Sequence, residues 1–147
     1  MNINNIGNFI FDLDGVISNT AKVHAVAWKE TFDEILTSFS QDLFDLDHDY
    51  HKYFDGISRD VAIKNFLKQK KIELELGLIT DCDIKSINGL SNLKNKNFIE
   101  KINTLHQTEF IFQDSLNLIN ILKENNKNIY LASSSKNASF ILKKIKL

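Results

Sequence analysis

Proline is absent from this 147-residue chain, cysteine occurs once, and a single arginine stands among 18 basic residues. The lone Cys82 excludes an internal disulfide and a thiolate metal site. No apolar run approaches the ~20 residues that span a bilayer. The first residues also lack the basic and apolar regions of a signal peptide, so the expectation is a cytoplasmic protein. A net charge of -1 gives no electrostatic case for nucleic acid or an anionic membrane surface. Repeats and low-complexity linkers are missing. What remains is 43% hydrophobic and 25% charged, the composition of a soluble globular protein. The length fits one domain, or a small domain carrying an insertion. The solitary Arg59 raises the question of whether its planar fork holds a phosphate.

The chain is organised around residues 8–16. An apolar run there, bounded by Gly7 and Gly15, reads as a buried strand of a parallel sheet. It stops at two carboxylates, Asp12 and Asp14, which share a face if the backbone stays extended. At the carboxyl end of a strand, where open α/β sheets put their chemistry, they form an acidic, cation-binding pocket. Carboxylates that close suit metal binding, a nucleophile paired with an acid/base, or both.

From Ala21, the positions Ala25, Trp28, Phe32, Ile35 and Phe39 recur at helical steps. Residues 40–49 are polar and acidic, with Leu43, Phe44 and Leu46 as expected anchors. A turn over residues 55–60 leads to a helix over 61–71 whose apolar face is Ala62, Ile63, Phe66 and Leu67. Residues 73–92 are weakly patterned, and helical period returns over 93–105 through Phe98, Ile102 and Leu105. Between residues 19 and 106 nothing reads as a strand. A helix over 115–124 is expected to bury Leu118, Ile119 and Leu122. A second short buried strand, 129–132, ends at Ser133-Ser134-Ser135-Lys136-Asn137. A hydroxyl, backbone N–H groups and Lys136 at such a place make an anion site, although a polar loop with a helix N-cap needs the same residues. A last helix over 138–145 turns Ile141, Leu142 and Ile145 inward.

The string Phe11-Asp12-Leu13-Asp14-Gly15-Val16, followed by Thr20 and a helix, resembles motif I of the haloacid dehalogenase-like (HAD) superfamily, and Ser133 after its strand resembles motif II. Thr20, His24, Trp28, Gly56, Arg59, the Lys94-Asn95 pair and residues 131–137, taken in order, are similar to the β-phosphoglucomutase-like subfamily. The resemblance implies an α/β fold: a HAD-like Rossmann-type parallel sheet core, incomplete at about two strands (residues 1–19 and 107–147), with an inserted all-helical cap (20–106). It implies Asp12 as nucleophile and Mg²⁺ ligand, Asp14 as general acid/base and second metal ligand, and Ser133 on the transferring phosphoryl oxygens. Thr20, His24, Trp28, Gly56, Arg59, Lys94, Asn95, Ser134, Ser135, Lys136 and Asn137 would bind substrate.

The implied partner is a small phosphorylated sugar or metabolite. The implied reaction interconverts β-glucose 1-phosphate and glucose 6-phosphate through an aspartyl phosphate. The alternatives are a phosphatase acting on small phosphorylated metabolites, and an inactive fragment that needs a complementary C-terminal chain. The last follows from a departure: the lysine of motif III and the acidic pair of motif IV would lie beyond Leu147. On that expectation the chain is truncated and marginally stable. Asn19, where close relatives carry Asp, is a smaller departure.

Overall fold

The structure is a computed structural model that describes residues 5–147. In order it contains β1 (Asn8–Asp12), α1 (Ala21–Ser38), α2 (His48–Tyr53), α3 (Arg59–Gln69), α4 (Ile87–Thr104), a 3-10 turn (Gln107–Glu109), α5 (Gln113–Glu124), β2 (Asn128–Ala132) and α6 (Ala138–Lys144). The chain divides into two compact units, Met1–Ala21 with Leu105–Leu147, and Lys22–Thr104.

In the first unit β1 and β2 pair in parallel, with Phe9 opposite Ile129, Ile10 opposite Tyr130, Phe11 opposite Leu131 and Asp12 opposite Ala132. This two-stranded parallel sheet and the surrounding helices make the α/β class expected from the sequence. The strands are not buried as expected, however. Phe9, Phe11, Ile129 and Leu131 are half-buried, whereas Ile10 is 73% and Tyr130 54% exposed on the other face. Near-continuous apolar strands are buried when elements cover both faces of a parallel sheet, and here one face stays open. Burial in this unit falls instead on the loops and helices: Leu13, Ile17, Phe110, Ile111, Ile119, Leu122, Ile141 and Ile145. Leu118 lies outside that set, 40% exposed, because α5 begins at Gln113 and turns only Ile119 and Leu122 inward.

The second unit has no named strand among its described residues. Its core is aromatic: Phe32 stacks on Phe44 and meets Phe66 edge-on, and Phe54 contacts Trp28, Phe32, Phe44 and Phe66. Of the three anchors expected in 40–49 only Phe44 is buried; Leu43 and Leu46 are exposed. The reason lies on α1. The ion-paired Lys29 and Asp33 of α1 grip the Phe44 backbone, Lys29 Nζ donating to its carbonyl and Asp33 Oδ1 accepting its N–H, each at 2.8 Å. That inserts one side chain and leaves its neighbours outside. Phe39 likewise falls outside the core, at the end of α1 beside Ser40 with φ +53. Helix α4 starts at residue 87 rather than 93, because Ser86 Oγ accepts the Gly89 N–H at 3.0 Å and caps the first turn. No helix among the described residues is long and apolar enough to cross a membrane.

Candidate active site

Within the first unit, β1 ends on Asp12, whose Oδ1 accepts the Leu13 N–H at 2.7 Å. The chain bends there, burying Leu13 completely and leaving Asp12 and Asp14 both exposed. The turn closes on the Leu13 carbonyl, which accepts N–H groups from Ile17 and Ser18 at 2.9 and 2.7 Å. Gly15, with φ +82, supplies the left-handed residue that this reversal requires. The carboxylate of Asp14 then meets two buried hydroxyls. Ser18 Oγ and Thr20 Oγ1 each donate to its Oδ1 at 3.0 Å. Thr20, expected among the substrate-binding residues, is therefore occupied in holding Asp14.

The register places Asp12 opposite Ala132, so Ser133 leaves the sheet one residue beyond the partner of Asp12, at the same end. Ser133 and Ser134 are exposed, as is Lys136. The loop folds on its own hydroxyls: Ser133 Oγ accepts the Ser135 N–H at 3.1 Å and Ser135 Oγ accepts the Asn137 N–H at 3.3 Å. Two of the amides expected to cradle an anion are thus engaged inside the loop. The exposed hydroxyls and Lys136 are what it offers outward. Asn137 is buried at the start of α6.

Among the described residues no three His, Cys, Asp or Glu side chains gather in a way that could hold a metal ion. Asp12 and Asp14 are hard oxygen donors of the kind Mg²⁺ takes. An ion held by them would need further oxygen donors from backbone, water or phosphate.

A second polar cluster lies wholly within the helical unit. Ser91, Lys94, Asn95 and Phe98 recur at i, i+3, i+4 and i+7, one face of α4, while His24 and Trp28 are one turn apart on α1. Lys94 is 2% exposed. Its ammonium lies 2.5 Å from His24 Nδ1, and over the rings of Trp28 and Phe98 at 5.2 and 5.0 Å. Burying an ammonium is costly, and an imidazole acceptor with two aromatic faces offsets part of that cost. His24 in turn stacks on Phe98 with ring centroids 4.1 Å apart. Burial, then the charges of Lys94 and Arg59, lower its pKa from 6.5 to about 3. His24 is neutral at physiological pH, with Nδ1 as acceptor.

Arg59 opens α3 and donates from Nη1 to the Ser91 carbonyl (3.3 Å) and from Nη2 to Asn95 Oδ1 (3.2 Å). Partial burial lowers its pKa, opposed by the charge of Asp60. Five of the sequence-derived residues, His24, Trp28, Arg59, Lys94 and Asn95, thus come together. Gly56 does not join them; it is exposed in the turn between α2 and α3, at φ +68. Trp28, 5% exposed and packed on Phe32 and Phe54, is part of the aromatic core. Sequence reasoning missed Ser18, Ser91 and the His24 contact of Phe98. The last two were signalled by the i+3/i+4 spacing around Lys94.

Comparison with known proteins adds relatives to this geometry. No protein-family model matches the chain. It is 32% identical over 140 residues to the β-phosphoglucomutase of Bacillus subtilis, covering 92% of this chain and 54% of that protein. With the β-phosphoglucomutase of Mycobacterium bovis it shares 38% identity over 93 residues, 58% of this chain and 36% of the other. A crystal structure of β-phosphoglucomutase from Clostridium difficile superposes with a TM-score of 0.70 at 27% identity, covering 97% of this chain and 57% of that one. CbbY from Rhodobacter sphaeroides, crystallised with phosphate, shares the fold: TM-score 0.69 at 18% identity, covering 95% of this chain and 56% of that one. The chain spans about half the length, or less, of the curated relatives it matches.

Proposed function

Because this chain belongs to the haloacid dehalogenase-like superfamily, in its β-phosphoglucomutase-like branch, we propose that it serves phosphoryl transfer on a small phosphorylated sugar. The observation that carries this reading is the parallel register of β1 and β2, which sends Asp12 and Ser133 out of the sheet at the same end. An Asp12 oxygen forms the bond to phosphorus as the bond to the sugar oxygen breaks, and a proton carried by Asp14 passes to that oxygen. Ser133 and Ser134 donate to the phosphoryl oxygens, and Lys136 adds positive charge. Transfer from the acyl phosphate to a second sugar hydroxyl, which gives its proton to Asp14, is mutase chemistry. Asp12 and Asp14 are the residues that would hold Mg²⁺, which would supply neutralisation of phosphoryl charge.

The helical unit is read as a cap whose cluster recognises the sugar phosphate. Arg59 supplies a planar fork for a phosphate, and His24, Lys94 and Asn95 supply hydrogen bonds. A cytoplasmic location belongs to the same reading. Transfer to water would make the protein a phosphatase, which the exposure of Asp12 and Asp14 favours. Dependence on a complementary polypeptide is favoured by the open sheet face carrying Ile10 and Tyr130.

The test is turnover of p-nitrophenyl phosphate and acetyl phosphate with Mg²⁺, beside Asp12→Asn. Removing the nucleophile is expected to cost more than about a hundredfold. Conversion of β-glucose 1-phosphate that depends on a glucose 1,6-bisphosphate primer identifies the mutase; release of inorganic phosphate without isomerisation identifies the phosphatase. A folded sample with no turnover on any of these would sink both and leave the complementary polypeptide.

A further inference from the structure

We infer that Ser18 is a positioning residue for Asp14, holding its carboxylate in one orientation from inside the loop; the inference rests on the reading of Asp14 as acid and base. Asp14 is exposed, and an exposed Asp ordinarily samples several rotamers. Here Oδ1 accepts from two hydroxyls that are themselves withdrawn from water, Ser18 at 0% and Thr20 at 1% exposure, and that lie 3.4 Å apart. A buried hydroxyl without a partner is expensive, so neither donor can swing away from Asp14 without loss.

The position of the Ser18 hydroxyl is set by the backbone rather than by the carboxylate it serves. Its N–H donates to the Leu13 carbonyl at 2.7 Å and its carbonyl accepts from Gly15 at 2.8 Å. On either side, the Asn19 N–H donates to the Phe110 carbonyl and the Ile17 carbonyl accepts from Phe112, clamping the strip around the Ser18–Ile111 bridge. Ser115 Oγ adds a bond to the Val16 carbonyl at 2.5 Å. The hydroxyl therefore stands in a rigid frame and the carboxylate is referred to it. Preorganising a proton-transferring group in this way acts on the chemical step more than on substrate binding.

The experiment reads Asp14 directly. Carbon–carbon and nitrogen–carbon couplings across χ1 of Asp14 are measured by NMR in the wild type, Ser18→Ala and Ser18→Thr, beside kcat and KM for p-nitrophenyl phosphate. Single-rotamer couplings are expected in the wild type and the threonine variant, and averaged couplings in the alanine variant. The alanine variant should lose about tenfold or more in kcat with KM within twofold, and threonine should recover most of that loss. Unchanged couplings in Ser18→Ala would overturn the inference. If the alanine variant loses its dispersed spectrum, Ser18→Cys, somewhat larger than serine and a weak donor, is judged by the same couplings. A wild type with single-rotamer couplings but no turnover would defeat the catalytic reading and leave the positioning by Ser18 standing.

Discussion

The two units solve the same burial problem with unequal means. In the helical unit, Phe32, Phe44, Phe54 and Phe66 meet one another directly, and α1, α2, α3 and α4 each contribute apolar side chains. In the other unit the strands carry the most apolar sequence, yet Ile10 and Tyr130, paired across the sheet, face solvent. A helix needs one covered stripe, which its neighbours in a bundle supply; a parallel strand needs a cover on each face and a partner on each edge. The helical unit, Lys22–Thr104, thus closes its core, whereas among the described residues the two-stranded sheet has no partner strand on either outer edge. The carboxylates sit on the unit with the weaker cover.

The sharpest way to break this comparison is a pair of substitutions. Phe66→Ala removes a fully buried ring that touches Phe32, Phe44, Tyr53 and Phe54, and should cost about 3–5 kcal/mol. Ile10→Thr on the open face should cost less than about 0.5 kcal/mol and reduce binding of a hydrophobic dye. Urea titrations followed by the fluorescence of Trp28, the single tryptophan, report on the helical unit, and far-UV circular dichroism reports on the whole. A loss above about 1.5 kcal/mol for Ile10→Thr would mean that its face is covered in solution.

A smaller effect sharpens the electrostatic side. Burial first, then Lys94 and Arg59, lower the His24 pKa to about 3 in the folded protein, against 6.5 for an unhindered imidazole. The unfolded chain therefore binds the extra proton as pH falls below 6.5. Stability present above that value is lost progressively down to about pH 3, by about 2 kcal/mol at pH 5. Urea titrations of the wild type and His24→Gln at pH 7 and pH 5 check this, since glutamine cannot gain the proton and its acid limb should be shallower. Equal slopes in the two proteins would show that His24 titrates normally.

Much of this arrangement is written plainly in the residues. The two carboxylates at a strand end, the serine after the second strand and the long helix after Thr20 are local patterns, and the structure realises them as elements. Helical spacing also puts Lys94 and Asn95 on one face of α4. What escaped were features that apolar periodicity does not carry, one a short polar cap and the others set by distant partners. The start of α4 depends on the Ser86 cap in a stretch with little apolar period. The choice of Phe44 over Leu43 and Leu46 depends on Lys29 and Asp33, more than ten residues away. The open sheet face depends on how many elements cover it, which no strand encodes in its own sequence.

Gly56 shows the same division at the scale of one residue, with the smallest effect expected here. A resemblance suggests that it meets substrate; its geometry gives it a backbone duty. It turns the chain between α2 and α3 with φ +68, and an added Cβ would meet no atom within 4 Å. Gly56→Ala therefore clashes with nothing and carries only the cost of a left-handed backbone in a residue with a side chain, about 1 kcal/mol. Gly56→Asn, which tolerates that region better, should recover part of it. If alanine leaves the urea midpoint within error of the wild type while raising KM for a sugar phosphate, the turn is not what glycine is there to provide, and Gly56 joins the residues proposed to recognise substrate.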